Sequence, residues 1–185
     1  MYKFLIVEDH VIFRQGVKKI ITDEFEPVYF CEAGNSAEAL TKFNNEVWDL
    51  VILDINMPGR SGLDLIHDLK SINANTPILV LSMYEEDQMA LRALKAGASG
   101  YLTKTRAAED MITAVKKIID GNDYINETVA DLLVSEFRND KKGDAIKGLS
   151  DREYFVLMRL AAGETVTEIA KTLALSVKTI STYPS

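Results

Sequence analysis

The stretch Leu50-Val51-Ile52-Leu53-Asp54 is an unbroken apolar run that ends in a carboxylate, and it decides the fold. Three other strand-like runs, at residues 4–7, 78–81 and 100–103, are also followed by polar or charged side chains. Runs that are apolar throughout are typical of parallel strands covered on both faces. Because the carboxyl ends of parallel strands meet at one edge of a sheet, we expect the side chains that end these runs to lie together. They are Glu8, Asp9, Asp54, Ser82 and Lys104.

Amphipathic segments separate the apolar runs and predict helices between the strands. We expect strands at residues 3–7, 28–33, 50–54, 78–82 and 100–103, each followed by apolar residues at helical spacing. Five such βα units predict an α/β fold, a five-stranded doubly wound parallel sheet over residues 1–121. The apolar stripes are Ile12, Val17, Ile20 and Ile21; Ala37, Leu40 and Phe43; Leu63, Ile66, Leu69 and Ile72; Met89, Leu91 and Leu94; and Met111, Ile112, Val115, Ile118 and Ile119.

The last third of the chain has only helical periodicity. Residues 122–148 predict a helix over 127–139 and then a polar, glycine-containing linker. Residues 149–185 predict a small all-α domain of short helices and tight turns. Within it, Thr165 and Glu168 have the spacing of a capping box, in which the two side chains close the first turn of a helix.

The composition bounds the class of protein. The chain has 185 residues, a net charge of −7, and ordinary hydrophobic and charged fractions of 47% and 26%. From residue 146 onward five basic side chains accompany four acidic ones, so the acidic surplus lies in residues 1–145 and argues against general polyanion binding there. No apolar run approaches the roughly 18 residues that span a bilayer, so we expect no membrane partner. The single cysteine, Cys31, fits a reducing cytoplasm.

The predicted cluster has the composition of a phosphoryl-transfer site. A carboxylate can attack a phosphoryl donor to give an aspartyl phosphate. Because the nucleophile and the phosphoryl oxygens are all anionic, the reaction needs a hard cation, and Mg²⁺ is suited to this role. We expect Asp9 and Asp54 to be direct Mg²⁺ ligands, Glu8 to act through water, and the backbone carbonyl of Asn56 to complete the shell.

The remaining polar residues have roles that depend on the cluster. Lys104 would pair with a phosphate oxygen as a point charge, and Ser82 would donate a hydrogen bond to another oxygen. Taken alone, a serine or a lysine at a strand end usually has no function, and it is their joint position that favours one. His10 and His67 could each be a phosphohistidine or a metal ligand. Structural roles are favoured, because His10 is expected to start the first helix and His67 to lie on the polar side of the third.

Residues 1–121 resemble the receiver domain of bacterial two-component response regulators. The resemblance rests on Glu8-Asp9, Asp54, Asn56-Met57-Pro58-Gly59, Gly62, Ser82, and Lys104 after Gly100-Tyr101-Leu102. It implies a flavodoxin-like fold in which Asp54 is the phosphoacceptor and a sensor histidine kinase is the donor. It also implies that Ser82 and Tyr101 are switch residues, the hydroxyl moving toward the phosphate as the ring turns inward. Thr105 departs from the family, in which proline often follows the lysine, and leaves open whether the Lys104–Thr105 bond is cis.

Residues 149–183 resemble the helix-turn-helix module of the response-regulator subfamily related to the quorum-sensing transcription factors. The matching residues are Leu149-Ser150, Arg152-Glu153, Gly163, Glu168-Ile169-Ala170 and the run from Leu175 to Tyr183. The resemblance implies a recognition helix that begins at Ser176 and enters the major groove of promoter DNA. Lys178 and Thr179 would contact phosphates, and Ser181 and Thr182 would face bases. The family's helix continues further, whereas this sequence ends at Pro184-Ser185, so we expect a truncated recognition helix.

These features predict a cytoplasmic, phosphorylation-activated transcriptional response regulator, capable of forming a homodimer and not an enzyme in the usual sense. One alternative is a receiver without DNA output, acting as a phosphate sink or as a partner in inactive heterodimers. Another is a Mg²⁺-dependent phosphatase with an aspartyl-phosphate intermediate. Such enzymes typically carry a second aspartate two residues after the nucleophile, where this chain has Asn56.

Overall fold

The computed structural model describes residues 1–84, 87–126, 129–132, 150, 154, 156–157, 159–160 and 163–172. In this part of the chain five parallel strands form one sheet in the order β2-β1-β3-β4-β5. The order confirms the predicted doubly wound, flavodoxin-like sheet, in which β1 and β3 diverge at the topological switch point. The strands are β1 (Tyr2–Val7), β2 (Val28–Ala33), β3 (Leu50–Asp54), β4 (Ile78–Ser82) and β5 (Gly100–Thr103).

Helices cover both faces of the sheet and create two hydrophobic cores. One core lies against α1 and α5, and the other lies against α2, α3 and α4. Strand β1 shows the division, because Phe4 and Ile6 belong to the first core whereas Leu5 and Val7 belong to the second. The helices are α1 (Val11–Thr22), α2 (Ser36–Asn45), α3 (Gly62–Ile72), α4 (Asp87–Lys95), α5 (Ala107–Ile119) and, near the C-terminus, α6 (Val166–Thr172).

Three residues of the predicted apolar stripes are exposed, so their prediction as buried positions is wrong. Ile12 is 90% exposed and Ile72 is 45% exposed, and Ala37 is exposed as well. Val17 and Ile21 define the buried face of α1. At about 3.6 residues per turn, Ile12 lies about 140° around the helix axis from Val17, so it points away from the sheet. Ala37 lies in the first turn of α2 and Ile72 is the last residue of α3.

Side-chain caps begin two of the helices, α2 and α6, and the cap of α6 is the one formed by the predicted pair Thr165 and Glu168. At α2 the side chain of Asn35 accepts a hydrogen bond from the Glu38 N–H at 2.9 Å, and Glu38 Oε2 accepts one from the Gly34 N–H at 3.0 Å. At α6 the Thr165 N–H and hydroxyl both donate to Glu168 Oε2, at 2.8 and 2.6 Å. Each cap satisfies amide groups that the first turn of a helix leaves without a partner.

The C-terminal segment packs on the α2–α3–α4 side of the sheet. Tyr154, Val156, Ile169 and Ala170 are buried in the same core as the residues of α3 and α4. The Arg92 guanidinium of α4 lies 4.1 Å from the centroid of the Tyr154 ring. The backbone N–H of Gly59, in the loop that follows Asp54, donates a hydrogen bond to the carbonyl of Thr172 in α6. The loop after Asp54 therefore contacts the C-terminal helix directly.

Some sequence predictions extend past the described residues. Of the helix predicted over 127–139, residues 129–132 are described and are helical. The four predicted DNA contacts, Lys178, Thr179, Ser181 and Thr182, lie outside the described residues. Among the helices that are described, none has the length and apolar character needed to cross a membrane.

Candidate functional site

The carboxyl ends of β1, β3 and β5 bring the predicted charged residues together. Asp54 is the last residue of β3 and is 0% exposed, and Glu8, directly after β1, is 1% exposed. Lys104, directly after β5, extends between them, with its Nζ 2.7 Å from Asp54 Oδ2 and 2.6 Å from Glu8 Oε2. Asp9 completes the group with a half-buried carboxylate. Glu8 and Asp54 therefore share one ammonium in a site that is largely closed to water, and a third carboxylate, that of Asp9, lies beside them.

Burial and neighbouring charges together set the pKa values of Asp54 and Lys104. Burial raises the pKa of Asp54, the neighbouring charge of Glu8 raises it further, and Lys104 opposes both effects without cancelling them. Burial alone would lower the pKa of Lys104, but its contacts with Asp54 and Glu8 outweigh that effect and raise the pKa. The Lys104 ammonium also lies 4.6 Å from the centroid of the Phe13 ring. The site carries more negative charge than its one ammonium neutralises.

The donor set fits a hard divalent cation. Ligand atoms of Glu8, Asp9, His10 and Asp54 all lie within 4.8 Å of one another. Asp9 Oδ1 and Glu8 Oε2 are buried and take no hydrogen bond, although Glu8 Oε2 has the ion pair with Lys104. Carboxylate oxygens are the ligands that Mg²⁺ prefers, and a dication here would relieve the excess negative charge. The residues present therefore fit the predicted Mg²⁺.

A chain of neutral hydrogen bonds leads away from the other side of Asp54. The Asn56 N–H donates to Asp54 Oδ1 at 2.8 Å. The Ser82 hydroxyl donates to the side-chain oxygen of Asn56 at 3.1 Å and accepts from the Tyr84 N–H at 3.0 Å. The Tyr101 hydroxyl then donates to the Tyr84 carbonyl at 2.8 Å. The two predicted switch residues, Ser82 and Tyr101, are thus linked to Asp54 through Asn56 and Tyr84.

The structure also answers the remaining predictions, which concern the Lys104–Thr105 bond and the two histidines. Glu26–Pro27 is the cis peptide bond of the described chain, so the Lys104–Thr105 bond is trans. His67 is exposed on α3, as predicted. His10 starts α1, as predicted, but its ring also contacts Glu8 and Asp9.

Sequence reasoning missed three members of the site. It did not predict the ring of His10 beside the carboxylates, the ring of Phe13 beside Lys104, or the backbone of Tyr84 between the two switch residues. His10 and Phe13 could have been found, since they occupy the first turn after Glu8-Asp9. The role of Tyr84 could not have been found from the sequence, because its contacts are made by its backbone N–H and carbonyl, which every residue type except proline has.

Comparison with known proteins extends over both parts of the chain. Residues 4–116 match the response regulator receiver domain, and residues 147–185 match the luxR family of bacterial regulatory proteins. A putative transcriptional regulator of Pseudomonas aeruginosa is 40% identical over 100% of this chain and 88% of that protein. Response regulator UvrY of Escherichia coli K12 is 29% identical over 99% of this chain and 84% of that protein.

A solved structure resembles the whole arrangement. RcsB from Salmonella enterica serovar Typhimurium, bound to promoter rprA in the presence of the phosphomimetic BeF₃⁻, aligns with a TM-score of 0.68 at 28% identity. The alignment covers 98% of this chain and 88% of that one. The likeness therefore includes the receiver-like sheet and the C-terminal segment together.

Proposed function

The chain belongs to the response regulators that join a receiver domain to a LuxR-type helix-turn-helix domain and is a transcriptional regulator, and on this premise we propose that Asp54 is its phosphoryl acceptor. One observation carries the proposal: the carboxylate of Asp54 is fully buried at the end of β3, and the Lys104 ammonium lies 2.7 Å from one of its oxygens. A buried carboxylate with a fixed cation beside it is suited to receive an anionic group.

Mg²⁺ is the cation that we assign to this site. Asp9 and Asp54 would bind it directly, Glu8 through water, and the Asn56 carbonyl would complete the shell. The support is the oxygen-rich donor set and the buried oxygens of Glu8 and Asp9 that take no hydrogen bond. When bound, the cation neutralises charge on the phosphoryl oxygens.

The protein's own residues then perform the transfer. An oxygen of Asp54 forms a bond to phosphorus as the P–N bond to the phosphohistidine of a sensor kinase breaks, and that bond's electron pair stays on the imidazole nitrogen. Lys104 already lies against Asp54 and would move its contact from the carboxylate to a phosphoryl oxygen. Because burial holds Lys104 in one position, little reorganisation is needed.

Ser82 and Tyr101 would report the phosphorylated state. The Ser82 hydroxyl now donates to Asn56, and a phosphoryl group on Asp54 would offer it a stronger, charged acceptor. Moving Ser82 would remove the acceptor of the Tyr84 N–H, and Tyr84 also holds the hydroxyl of Tyr101. The change would therefore reach Tyr101 through bonds that already exist, as a shift between two populations.

The output that we propose is promoter binding by the C-terminal domain, in the cytoplasm. Lys178 and Thr179 would contact phosphates, with Ser181 and Thr182 at bases. The support is the match of residues 147–185 to the luxR family and the likeness to a promoter-bound structure. Helix-turn-helix proteins often bind two half-sites as dimers, so we include a homodimer in the proposal.

The proposed division of the chain follows the same matches. We assign residues 1–121 to the receiver, 122–148 to a helix and linker, and 149–185 to the helix-turn-helix domain. The two family matches, at 4–116 and 147–185, lie close to these limits. The comparisons favour a transcriptional regulator over the alternative of a phosphate sink or an inactive heterodimer partner.

Phosphorylation and DNA binding can be tested on the same sample. Incubation with acetyl phosphate and Mg²⁺ should add the mass of one phosphoryl group to the chain and to Asp23→Asn, an exposed carboxylate control, but not to Asp54→Asn. The phosphorylated chain should bind a random duplex pool more tightly than the unmodified chain, and added salt should weaken the binding.

The two readouts separate the possible failures. Phosphoryl transfer to Asp54→Asn would disprove the assignment of the acceptor. Normal phosphorylation of the chain with no effect on duplex binding would instead favour the phosphate-sink alternative.

A further inference from the structure

His10 occupies a position that its place at the start of α1 does not explain. It is the N-cap residue of that helix, but its side chain makes no capping hydrogen bond. The ring Nδ1 lies 2.9 Å from Glu8 Oε1 and 3.0 Å from Asp9 Oδ1. The side chain is 70% exposed, so packing does not force the ring against the carboxylates. Its contacts are with the acidic site.

We propose that His10 is a ligand of the divalent cation held by Glu8, Asp9 and Asp54, and that it strengthens the preference of the site for first-row transition dications such as Co²⁺ over Mg²⁺ beyond what the carboxylates provide. The inference rests on the proposed phosphoacceptor site and deepens it by naming a further ligand of its cation. It concerns the nitrogen of one ring and leaves the acceptor role of Asp54 unchanged.

The distances match neighbouring ligands of one cation. With metal–ligand bonds of about 2.1 Å, adjacent ligands of an octahedron lie about 3.0 Å apart and opposite ligands about 4.2 Å apart. His10 Nδ1 has separations of 2.9 and 3.0 Å from its two carboxylate neighbours. The four residues of the group have ligand atoms within 4.8 Å of one another. A small shift would place Asp9, His10 and Asp54 around a single ion, with Glu8 contacting it through water.

The hydrogen bonding also leaves room for an ion on the side of His10. Lys104 contacts Glu8 Oε2 and Asp54 Oδ2, so Glu8 Oε1 and Asp9 Oδ1 are the oxygens near the ring. Asp9 Oδ1 is buried and takes no hydrogen bond, although the ring nitrogen of His10 is only 3.0 Å away. A cation between these two atoms would satisfy Asp9 Oδ1 and would replace the hydrogen bond between His10 Nδ1 and Glu8 Oε1.

An imidazole ligand favours Co²⁺ over Mg²⁺. Affinity for nitrogen ligands rises from Mn²⁺ through Co²⁺ to Cu²⁺, whereas Mg²⁺ prefers oxygen and keeps several waters. A ring nitrogen in the donor set therefore adds affinity for Co²⁺ and little for Mg²⁺. A ring that only held the carboxylates in place, without touching the ion, would change the affinities for both ions alike.

Calorimetric titration of the full chain with MgCl₂ and with CoCl₂ distinguishes these two roles. We expect His10→Ala to weaken Co²⁺ binding by about tenfold or more. Mg²⁺ affinity should change by no more than about twofold, because a water can replace the ring. His67→Ala is the matched control, since it removes the chain's other histidine from the exposed face of α3 and should change neither affinity.

Proton NMR of the Co²⁺ complex tests direct ligation. In His67→Ala, His10 is the single histidine that remains, so ring-proton signals shifted far outside the diamagnetic range would come from His10. We expect these signals in His67→Ala, and we expect them to be absent when His10→Ala is added. Their absence from the Co²⁺ complex of His67→Ala would overturn the proposal, as would equal losses of Co²⁺ and Mg²⁺ affinity in His10→Ala.

Asp9→Asn separates this inference from the proposed function. If that variant loses Mg²⁺ binding while His10→Ala leaves the ratio of Co²⁺ to Mg²⁺ affinity unchanged, the cation site stands and the role of His10 is disproved. If Asp9→Asn binds both ions as the unchanged chain does, the cation site itself is wrong, and the role of His10 fails with it.

Discussion

The two sides of Asp54 are built from opposite kinds of interaction. On one side lie three carboxylates, those of Glu8, Asp9 and Asp54, and one ammonium, that of Lys104, which pairs with Glu8 and Asp54. On the other side Ser82 leads a series of neutral hydrogen bonds in which each donor has an acceptor. The charged side is costly until a cation binds, whereas the neutral side is satisfied and can rearrange at low cost. The charged side therefore suits cation binding and phosphoryl transfer, and the neutral side suits transmission of the phosphorylated state to Tyr101.

Removing Lys104 should break the charged side and have the largest effect. Lys104→Ala leaves Glu8 and Asp54, which are 1% and 0% exposed, without their cation. Loss of one partner of a buried ion pair costs about 3–5 kcal/mol, and we expect the free energy of unfolding in metal-free buffer to fall by that amount. Urea unfolding followed by circular dichroism measures the change.

A lysine on the surface provides the control for Lys104. Lys3 Nζ lies 2.7 Å from Glu46 Oε2, a separation like that of Lys104 from its partners, but both side chains are more than one-third exposed. Solvent and salt screen such a pair, so Lys3→Ala should cost far less. Equal losses in the two variants would show that burial does not distinguish the charged side. Added Mg²⁺ should restore part of the loss in Lys104→Ala only.

Replacing Asp54 should stabilise the metal-free chain, whereas replacing Lys104 should destabilise it. Asp54→Asn removes one negative charge from a site where burial, followed by the charge of Glu8, raises the pKa of Asp54. We expect the metal-free variant to be more stable than the unchanged chain by about 1–2 kcal/mol at neutral pH. The same urea titration, repeated across pH, measures the difference.

The sign of the pH dependence follows from the raised pKa of Asp54. A carboxyl group whose pKa rises on folding stabilises the folded state below its unfolded pKa, and that contribution is lost as pH rises through the folded pKa. The advantage of Asp54→Asn should therefore shrink as the pH is lowered from neutral toward about 4, the unfolded value. Mg²⁺ should stabilise the unchanged chain more than the variant. An advantage that grew on acidification would contradict the raised pKa.

The sheet and the charged residues could be predicted because one pattern encodes both. Buried parallel strands are apolar throughout, and the residue that ends each run must lie at the common edge. Asp54 and Lys104 are therefore placed by the same feature that places their strands. The helix stripes were less exact, since Ile12 shows that an apolar residue at the end of a helix can face solvent.

The neutral side could not be predicted to the same depth. Ser82 and Tyr101 were identified by resemblance, but the bonds between them pass through the backbone of Tyr84, and backbone groups are the same in every residue. The sequence places His10 at the start of α1 and so predicts only a structural role for it, because the sequence does not determine which way the ring turns. Such contacts depend on tertiary geometry.

The smallest expected effect tests the transmitting role of the neutral side. Ser82→Ala leaves the Tyr84 N–H without its acceptor, while Asn56 Oδ1 keeps the hydrogen bond that it accepts from the Met83 N–H at 3.2 Å. Two hydrogen bonds of Ser82 are lost, but the Tyr84 N–H is the group that they leave unsatisfied, at a cost of about 1 kcal/mol. The variant should therefore fold and accept a phosphoryl group. Phosphorylation should no longer strengthen duplex binding, whereas Ser82→Thr, which keeps the hydroxyl, should retain the response. If Ser82→Ala responds as the unchanged chain does, the path from Asp54 to Tyr101 does not transmit the signal.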